Sequence, residues 1–217
     1  MTKKNLSERA KRSPRYLYTT YRTECEEAFP ATFEFTDERT KYGLPVKPLY
    51  KPDIGVTIPV PMYYAGFVVS GQWLSNWNYR HRCSGRDTIA AAAVVQWRKM
   101  DKPTPLLTPR VHPWPTGDSV IYFVSHPADR KELKYLYDHR DTVLEAFLEV
   151  IDFSPEEKDI IRTKLFKWHR LMPTTISELD LDEPLPVDKC LQYTGPEPQF
   201  ESDSEYESGS EYESDSG

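Results

Sequence analysis

A cysteine and a histidine that could act in catalysis lie close together near the middle of the chain. His81 and Cys83 are separated by one residue and stand among the basic residues Arg80 and Arg82. Nearby positive charge favours the thiolate, which is the nucleophilic form of cysteine. A working nucleophile also needs a base within reach and a third group that orients the base. The sequence does not identify that set, so we predict no catalytic residue. An enzyme with a cryptic site around Cys83, His81 and His126 is the alternative interpretation.

Metal and nucleotide sites are not indicated by the other motifs. There is one His-x-Cys pair, whereas structural zinc sites usually show two close pairs of ligands. Gly66 and Gly71 have the separation of the glycines in a phosphate-binding loop, but Gln72 and Trp73 follow where lysine and Ser/Thr are required. Without the lysine no charge holds the phosphates, and we predict neither a metal nor a cofactor.

The segment Gly71–Arg86 interleaves aromatic and basic side chains in a pattern that suits single-stranded nucleic acid. Aromatic rings stack on unpaired bases while arginines hold the phosphates. The candidate nucleic-acid-binding residues are Trp73, Trp77, Tyr79, Arg80, Arg82 and Arg86. Tryptophan is highly buried on average, which favours the alternative interpretation. In that alternative both tryptophans lie in the core and the arginines form a solvated turn.

Residues 1–15 form a basic arm that holds six basic residues and one acid. Such a cluster is typical of a nuclear-import signal or of an arm that binds a nucleic-acid backbone. The candidate nuclear-import residues are Lys3, Lys4, Arg9, Lys11, Arg12 and Arg15. Ser13, followed by proline, is a candidate phosphorylation site beside that charge. A solvated terminus without further function is the other interpretation.

The acidic tail at residues 201–217 holds seven acids and no base. It has no aliphatic residue to offset the entropy cost of ordering, so we predict disorder. Four of its serines have glutamate three residues later, the pattern that acid-directed kinases prefer. These phosphorylation candidates are Ser202, Ser204, Ser208 and Ser210. The tail is expected to bind a partner or tune charge, or else simply to aid solubility.

Hydrophobic periodicity predicts the elements that must position these residues. The predicted helices are Arg86–Lys99, Ala128–Val150 with a break near Asp138–Arg140, and a third that begins after Ser154. The predicted strands are Thr32–Phe35, Val56–Val60, Tyr63–Val69 and Val120–Ser125. The five prolines from Pro103 to Pro115 predict an extended loop. This order of elements predicts a single mixed α+β domain.

The third helix has the clearest start signal in the chain. Ser154 is a favourable N-cap, Pro155 suits the first helical position and Glu157 completes a capping box. Apolar residues then recur at helical spacing, which predicts a helix that ends before Pro173. These residues are Ile161, Leu165, Trp168 and Met172.

Composition limits the compartment and the organisation of the chain. There are three widely spaced cysteines, which argues against a disulfide framework and fits a reducing compartment. No run approaches the about 20 apolar residues that a membrane helix needs, and no apolar stretch follows the basic start. We therefore predict a nuclear or cytoplasmic protein without a membrane partner. The expected units are a basic arm at 1–15, a folded domain at 16–172, a Pro/acidic linker at 173–200 and the acidic tail.

The layout resembles the small nuclear phosphoproteins that bocaparvoviruses encode as accessory factors. The local similarities are GQWLSNWNYRHRCSGRDTI at Gly71–Ile89 and KLFKWHR at Lys164–Arg170. Shared features are the length, a basic arm, a Trp-containing centre and an acidic end, whereas the short arm and the repetitive tail depart from that family. The resemblance implies a nuclear, non-enzymatic viral protein that supports genome replication and RNA processing, without catalytic residues.

These patterns favour a non-catalytic nuclear interaction or regulatory protein. Its folded domain is expected to bind nucleic acid or a replication or RNA-processing partner. The stretch Ile176–Pro186 alternates acids with Ile and Leu, a pattern found in disordered segments that dock on partners. Protein partners are therefore expected at Ile176–Pro186 and at the acidic tail.

Overall fold

The computed structural model describes residues 13–35, 44, 46–82, 88–100, 106–113, 117–126, 130–171 and 190–194. In this part of the chain the fold is α+β, as predicted. The helices are α1 (Pro14–Thr20), α2 (Arg22–Ala28), α3 (Gly71–Arg80), α4 (Thr88–Lys99), α5 (Arg130–Val150) and α6 (Pro155–Ile160), which continues into a π-helix at Ile161–Leu165. The strands are β1 (Thr32–Phe33), β2 (Leu49–Lys51), β3 (Val56–Ile58), β4 (Met62–Val69), β5 (Arg110–Pro113), β6 (Ser119–His126) and β7 (Lys167–Leu171).

Five strands form an antiparallel sheet in the order β1-β7-β4-β6-β5. Strands β4, β5, β6 and β7, with the helices between them, follow the order β-α-β-β-α-β along the chain. In the sheet β7, the last strand of this unit, lies beside β4, its first strand, and β6 lies between β4 and β5. This is the split β-α-β arrangement. Strands β2 and β3 pair as a separate hairpin.

Strand β4 lies in the middle of the sheet and is buried on both faces. Its alternate side chains Tyr63, Ala65, Phe67 and Val69 pack into the main core with α3 and α5. Tyr64 and Val68 point to the opposite face, where they contact β6 residues and Cys190. A central strand buried on both faces requires a near-continuous apolar run, which is the pattern from Met62 to Val69.

A bulge between β4 and β6 requires the glycine at position 66. The register shifts between Ala65 and Gly66, so that β6 contributes one extra residue. A Cβ atom at Gly66 would lie 2.0 Å from the backbone oxygen of Ile121. The close approach of the two backbones therefore excludes any side chain here.

A second, smaller core joins the first two helices to the β2–β3 hairpin. It is built from Leu17, Tyr18, Cys25, Phe29 and Ile58. The Tyr18 hydroxyl donates to a backbone carbonyl beside the hairpin, and burial raises the pKa of this phenol well above its usual range. The packing ties the N-terminal helices to the domain, and α1 begins inside the predicted arm.

The predicted third helix is correct at its start and wrong in its second half. The capping box is present, because the Ser154 hydroxyl accepts from the Glu157 amide and the Glu157 carboxylate accepts from the Ser154 amide. The chain then leaves the helix at Leu165 and forms β7. Pairing with β4 and β1 outweighs the helical spacing, and Trp168 reaches the core from a strand.

Other predicted elements differ mainly at their ends. Helix α4 and helix α5 are confirmed over their described residues, and His139 has non-helical backbone angles at the predicted break. The sequence reasoning missed α1, α2, α3, β2 and β5, the last of which lies inside the predicted proline-rich loop. In the described residues no helix is long and apolar enough to cross a membrane.

Candidate nucleic-acid interface at the end of helix α3

Helix α3 begins directly after β4 and is fixed at its start by side-chain caps. The Ser70 hydroxyl accepts a hydrogen bond from the Trp73 amide at 3.1 Å, which is the usual N-cap contact. The Gly71 amide donates to the Asp118 carboxylate at 3.3 Å. Negative charge at a helix N-terminus is stabilising, so Asp118, the residue before β6, stabilises the first turn of α3.

The two tryptophans of α3 are core side chains, as the alternative interpretation has it. Trp73 is 1% and Trp77 2% exposed, so neither offers a ring face to a base. Trp73 stacks on Phe153 with ring centroids 5.1 Å apart, and its indole N–H donates to Glu157 at 2.6 Å. The spacing of four residues places both indoles on the buried face of the helix.

Asp152 organises the last turn of α3 from a distant point in the chain. Its Oδ1 accepts hydrogen bonds from the Trp77 indole at 2.8 Å and from His81 Nε2 at 3.0 Å. Its Oδ2 lies 3.5 Å from the Arg80 guanidinium. The His81 ring also stacks on Trp77, with centroids 4.3 Å apart. One carboxylate therefore fixes three side chains of this helix end.

The remaining predicted residues of this segment face solvent. Tyr79 is 55% exposed, and Arg80 and Arg82, one and three residues after it, are also exposed. Arg82 adopts a φ of 50°, a left-handed conformation that is uncommon for a residue other than glycine. Its amide donates to the Tyr79 carbonyl at 3.1 Å, so the turn that carries Arg82 folds back on the helix. Arg86 lies outside the described residues.

We call this surface, formed by Tyr79–Arg82 with Asp152, the α3 terminus. It presents an aromatic ring beside two guanidinium groups. Asp152 offsets one positive charge, because it pairs with Arg80 and His81. Arg82 forms no ion pair within the part of the chain that the structure describes. The surface therefore keeps net positive charge next to an exposed ring.

His81 and His126, two of the three residues of the alternative enzyme site, lie apart from each other. His81 is held by Asp152 and Trp77, and Cys83 lies outside the description. His126 pairs with Tyr63 at the start of β4, whereas α3 leaves the opposite end of that strand. Burial lowers the pKa of His126. Among the described residues there is no group of three His, Cys, Asp or Glu side chains that could hold a metal ion.

The predicted import and modification sites lie mostly outside the described residues. Ser13 is the N-cap of α1 and accepts from the Tyr16 amide at 3.3 Å. Arg15 lies in α1. The other import residues (Lys3, Lys4, Arg9, Lys11 and Arg12), the tail serines (Ser202, Ser204, Ser208 and Ser210) and the docking stretch Ile176–Pro186 are not described.

An aromatic cluster on the sheet face away from the helices was missed by sequence reasoning. Tyr64 stacks on His112 at 5.0 Å and contacts Tyr122 at 4.5 Å between ring centroids. RNA-recognition modules use aromatic side chains on such a sheet to stack bases. Here Tyr64 is 6% exposed, and burial raises its pKa to about 12. The Tyr64 ring at the centre of this face is therefore covered by its neighbours and is not accessible to a base.

Comparisons of this chain with family models, with curated proteins and with solved structures found no match.

Proposed function

We propose that this chain is a non-catalytic binding protein whose folded domain contacts single-stranded nucleic acid at the α3 terminus. The observation that carries the proposal is the exposed Tyr79 ring, which the exposed arginines Arg80 and Arg82 follow at the end of the helix. Single-strand binders combine stacking rings with basic groups that follow the backbone. The burial of Trp73 and Trp77 reduces the predicted stacking rings from Trp73, Trp77 and Tyr79 to Tyr79 alone.

Preorganisation of the α3 terminus supports this assignment. Asp152 holds Trp77, His81 and Arg80 together before any ligand arrives. Side chains that are already fixed lose less conformational freedom on binding. The backbone turn at Arg82 fixes the position from which the second arginine side chain leaves the chain. A strand that lies across this end of the helix would meet a ring and two guanidinium donors.

The sheet face is a weaker candidate for the same function. Its central ring, Tyr64, is buried beneath Tyr122 and His112. Base stacking needs an accessible ring face. The exposed ring of Tyr79 meets that requirement, which is why the interface is assigned to the helix end.

The wider role we propose is regulatory and nuclear, and it rests on the sequence. The basic arm would carry the chain to the nucleus, and Ile176–Pro186 with the acidic tail would bind protein partners. The resemblance described above implies a more specific role, that of a viral accessory factor in genome replication or RNA processing. Arg80, Arg82 and Tyr79 would then supply the contact with nucleic acid.

Binding of the full-length protein to single-stranded RNA and DNA across a salt series tests the interface. We expect Tyr79→Ala to weaken binding by about tenfold, since one stacked base is worth about 1–3 kcal/mol. Arg82→Ala should weaken binding and reduce the slope of log affinity against log salt by about 0.7, the value for one phosphate contact. Arg110→Ala, an exposed arginine on the edge strand β5, is the matched control and should change little.

Two results would overturn the assignment. Equal losses for Arg82→Ala and Arg110→Ala would reduce the interaction to general charge attraction. Binding that disappears when residues 1–12 are removed, yet survives Tyr79→Ala and Arg82→Ala, would place the interaction in the basic arm.

A further inference from the structure

A cavity of about 340 Å³ lies at the edge of the sheet, away from the α3 terminus. Its walls come from the two residues after β1, from the middle of α5 and from the π-helix with the residue that follows it. The lining residues are Glu34, Phe35, Arg140, Asp141, Leu144, Glu145, Arg162, Thr163, Lys164 and Phe166. Pockets for small ligands span about 300–1,000 Å³, so this cavity is large enough for one small ring system.

Two helical irregularities border the cavity. Helix α5 is kinked at His139, one residue before the lining residue Arg140. The π-helix Ile161–Leu165 supplies three more lining residues. Single π-helical turns are rare and often mark functional sites, and sharp kinks have local causes. The cavity is thus formed where two helices depart from regular geometry.

Apolar groups and a guanidinium give the cavity a flat wall. Phe35 and Phe166 are buried, with ring centroids 5.0 Å apart. The Arg140 guanidinium lies over the Phe35 ring at 5.8 Å from its centroid, within the range of a cation–π contact. Because both rings are buried, the partly exposed Arg140 guanidinium that lies against Phe35 is the plane available for stacking a heterocycle.

The charges around the cavity balance. Three acids (Glu34, Asp141, Glu145) and three bases (Arg140, Arg162, Lys164) line it, so their formal charges cancel. Arg162 and Glu145 pair through two hydrogen bonds of 2.5 and 2.6 Å, and Arg140 Nε donates to Asp141 at 2.9 Å. A bare phosphate or a bare cation gains no net attraction from this lining. A neutral ring with donors and acceptors on its edge fits it.

We propose that this cavity binds a single unstacked nucleobase. Guanidinium donors would face ring nitrogens and carbonyl oxygens of the base, and carboxylates would accept from its amino groups, the pairings seen in direct base readout. The inference rests on the proposed function, since a base pocket deepens the nucleic-acid interface. Both sites lie along α5: Arg140 is about 15 Å by the helical rise from the helix end at Val150, and Asp152 lies two residues beyond that end.

Isothermal titration of the full-length protein with adenosine, guanosine, cytidine and uridine tests the pocket, because nucleosides carry no phosphate. We expect at least one nucleoside to bind, and Arg140→Ala to weaken that binding at least tenfold. Thr163→Trp, at an exposed lining position, should block it by filling the cavity. Arg110→Ala, on the far edge of the sheet, should leave it unchanged.

The inference is overturned if none of the four nucleosides binds at its solubility limit, or if binding survives both Arg140→Ala and Thr163→Trp. Equal competition by inorganic phosphate would also overturn it, because the site would then select an anion. Tyr79→Ala and Arg82→Ala should not alter nucleoside binding. Nucleoside binding without oligonucleotide binding would therefore defeat the proposed function and keep the pocket.

Discussion

At the scale of single residues, His169 shows how burial sets protonation. It lies fully enclosed on β7, and its Nε2 donates to the Leu165 carbonyl at 2.9 Å. Removal from water disfavours the charged ring and lowers its pKa from 6.5 to about 4, against the opposing effect of that hydrogen bond. The neutral imidazole is therefore part of the folded core.

The pH dependence of stability follows with a definite sign. The unfolded ring binds a proton near 6.5 and the folded ring near 4, so the unfolded state holds more protons in between. The contribution of His169 is present above pH 6.5 and is lost as pH falls through that window. Between about pH 7 and pH 5 we expect a loss of about 2 kcal/mol in the free energy of unfolding.

Urea unfolding of the wild type, His169→Gln and His139→Gln at both pH values measures that loss. The His169 variant should lose less stability on acidification than the wild type, while the exposed His139 variant should match the wild type. Identical pH dependence in all three proteins would show that His169 titrates normally in the folded state.

Residue types in the Gly71–Arg86 segment indicated an aromatic and basic interface, but not which rings reach solvent. The spacing Trp73, Leu74, Trp77 is helical and would have predicted α3 with one buried face. Tyr79 is exposed because it does not lie on that buried face of the helix. Asp152 could not be predicted, because it meets Trp77 and His81 from 75 and 71 residues away, and nothing local to either segment specifies the contact.

At the scale of elements, the start of α6 depends on a cap that also reaches the core. Glu157 accepts the Ser154 amide with one carboxylate oxygen and the Trp73 indole with the other. We expect Ser154→Ala to lower the free energy of unfolding by about 1 kcal/mol, the usual cost of an N-cap. Thermal and urea unfolding measure this difference.

Ser75→Ala provides the matched comparison for the cap. Ser75 is exposed in the middle of α3, where alanine is a better helix former than serine. This variant should be as stable as the wild type or slightly more so. Equal destabilisation by the two substitutions would argue against a role of the Ser154 hydroxyl in capping.

Strand β7 could not be predicted from the local sequence pattern alone. Ile161, Leu165 and Trp168 recur at helical spacing, and the capping box before them is a strong start signal. The same residues also permit a strand from Lys167, in which Trp168 faces the core and His169 the other side. Long-range pairing with β4 and β1 decides between these two structures, and pairing partners are not visible in a local window.

At the scale of the whole molecule, residues 190–194 belong to the folded domain although they lie in the predicted linker. Leu191 pairs in parallel with Val69, and its amide and carbonyl bond to Val68 and Ser70. Cys190 is buried beside it, which raises the pKa of its thiol to about 12. Residues 190–194 therefore extend the sheet alongside the end of β4 that β7 does not reach.

Replacement of Leu191 tests whether residues 190–194 stabilise the domain. Leu191→Ala should lower the free energy of unfolding by about 3 kcal/mol, within the range for buried leucines. Leu106→Ala, at a leucine that is 70% exposed, should change it by less than about 0.5 kcal/mol. Urea unfolding measures both, and similar small effects would mean that residues 190–194 contribute little to the fold.

A residue-resolved NMR titration tests whether the α3 terminus is the surface that contacts nucleic acid. Full-length ¹⁵N-labelled protein is followed while an unlabelled single-stranded oligonucleotide is added. We expect the amides of Tyr79, Arg80, His81 and Arg82 to shift, together with that of Asp152, and we expect Arg82→Ala to need a higher oligonucleotide concentration for the same shifts. Shifts confined to residues 1–12, or spread over the sheet face around Tyr122 and His112, would contradict it.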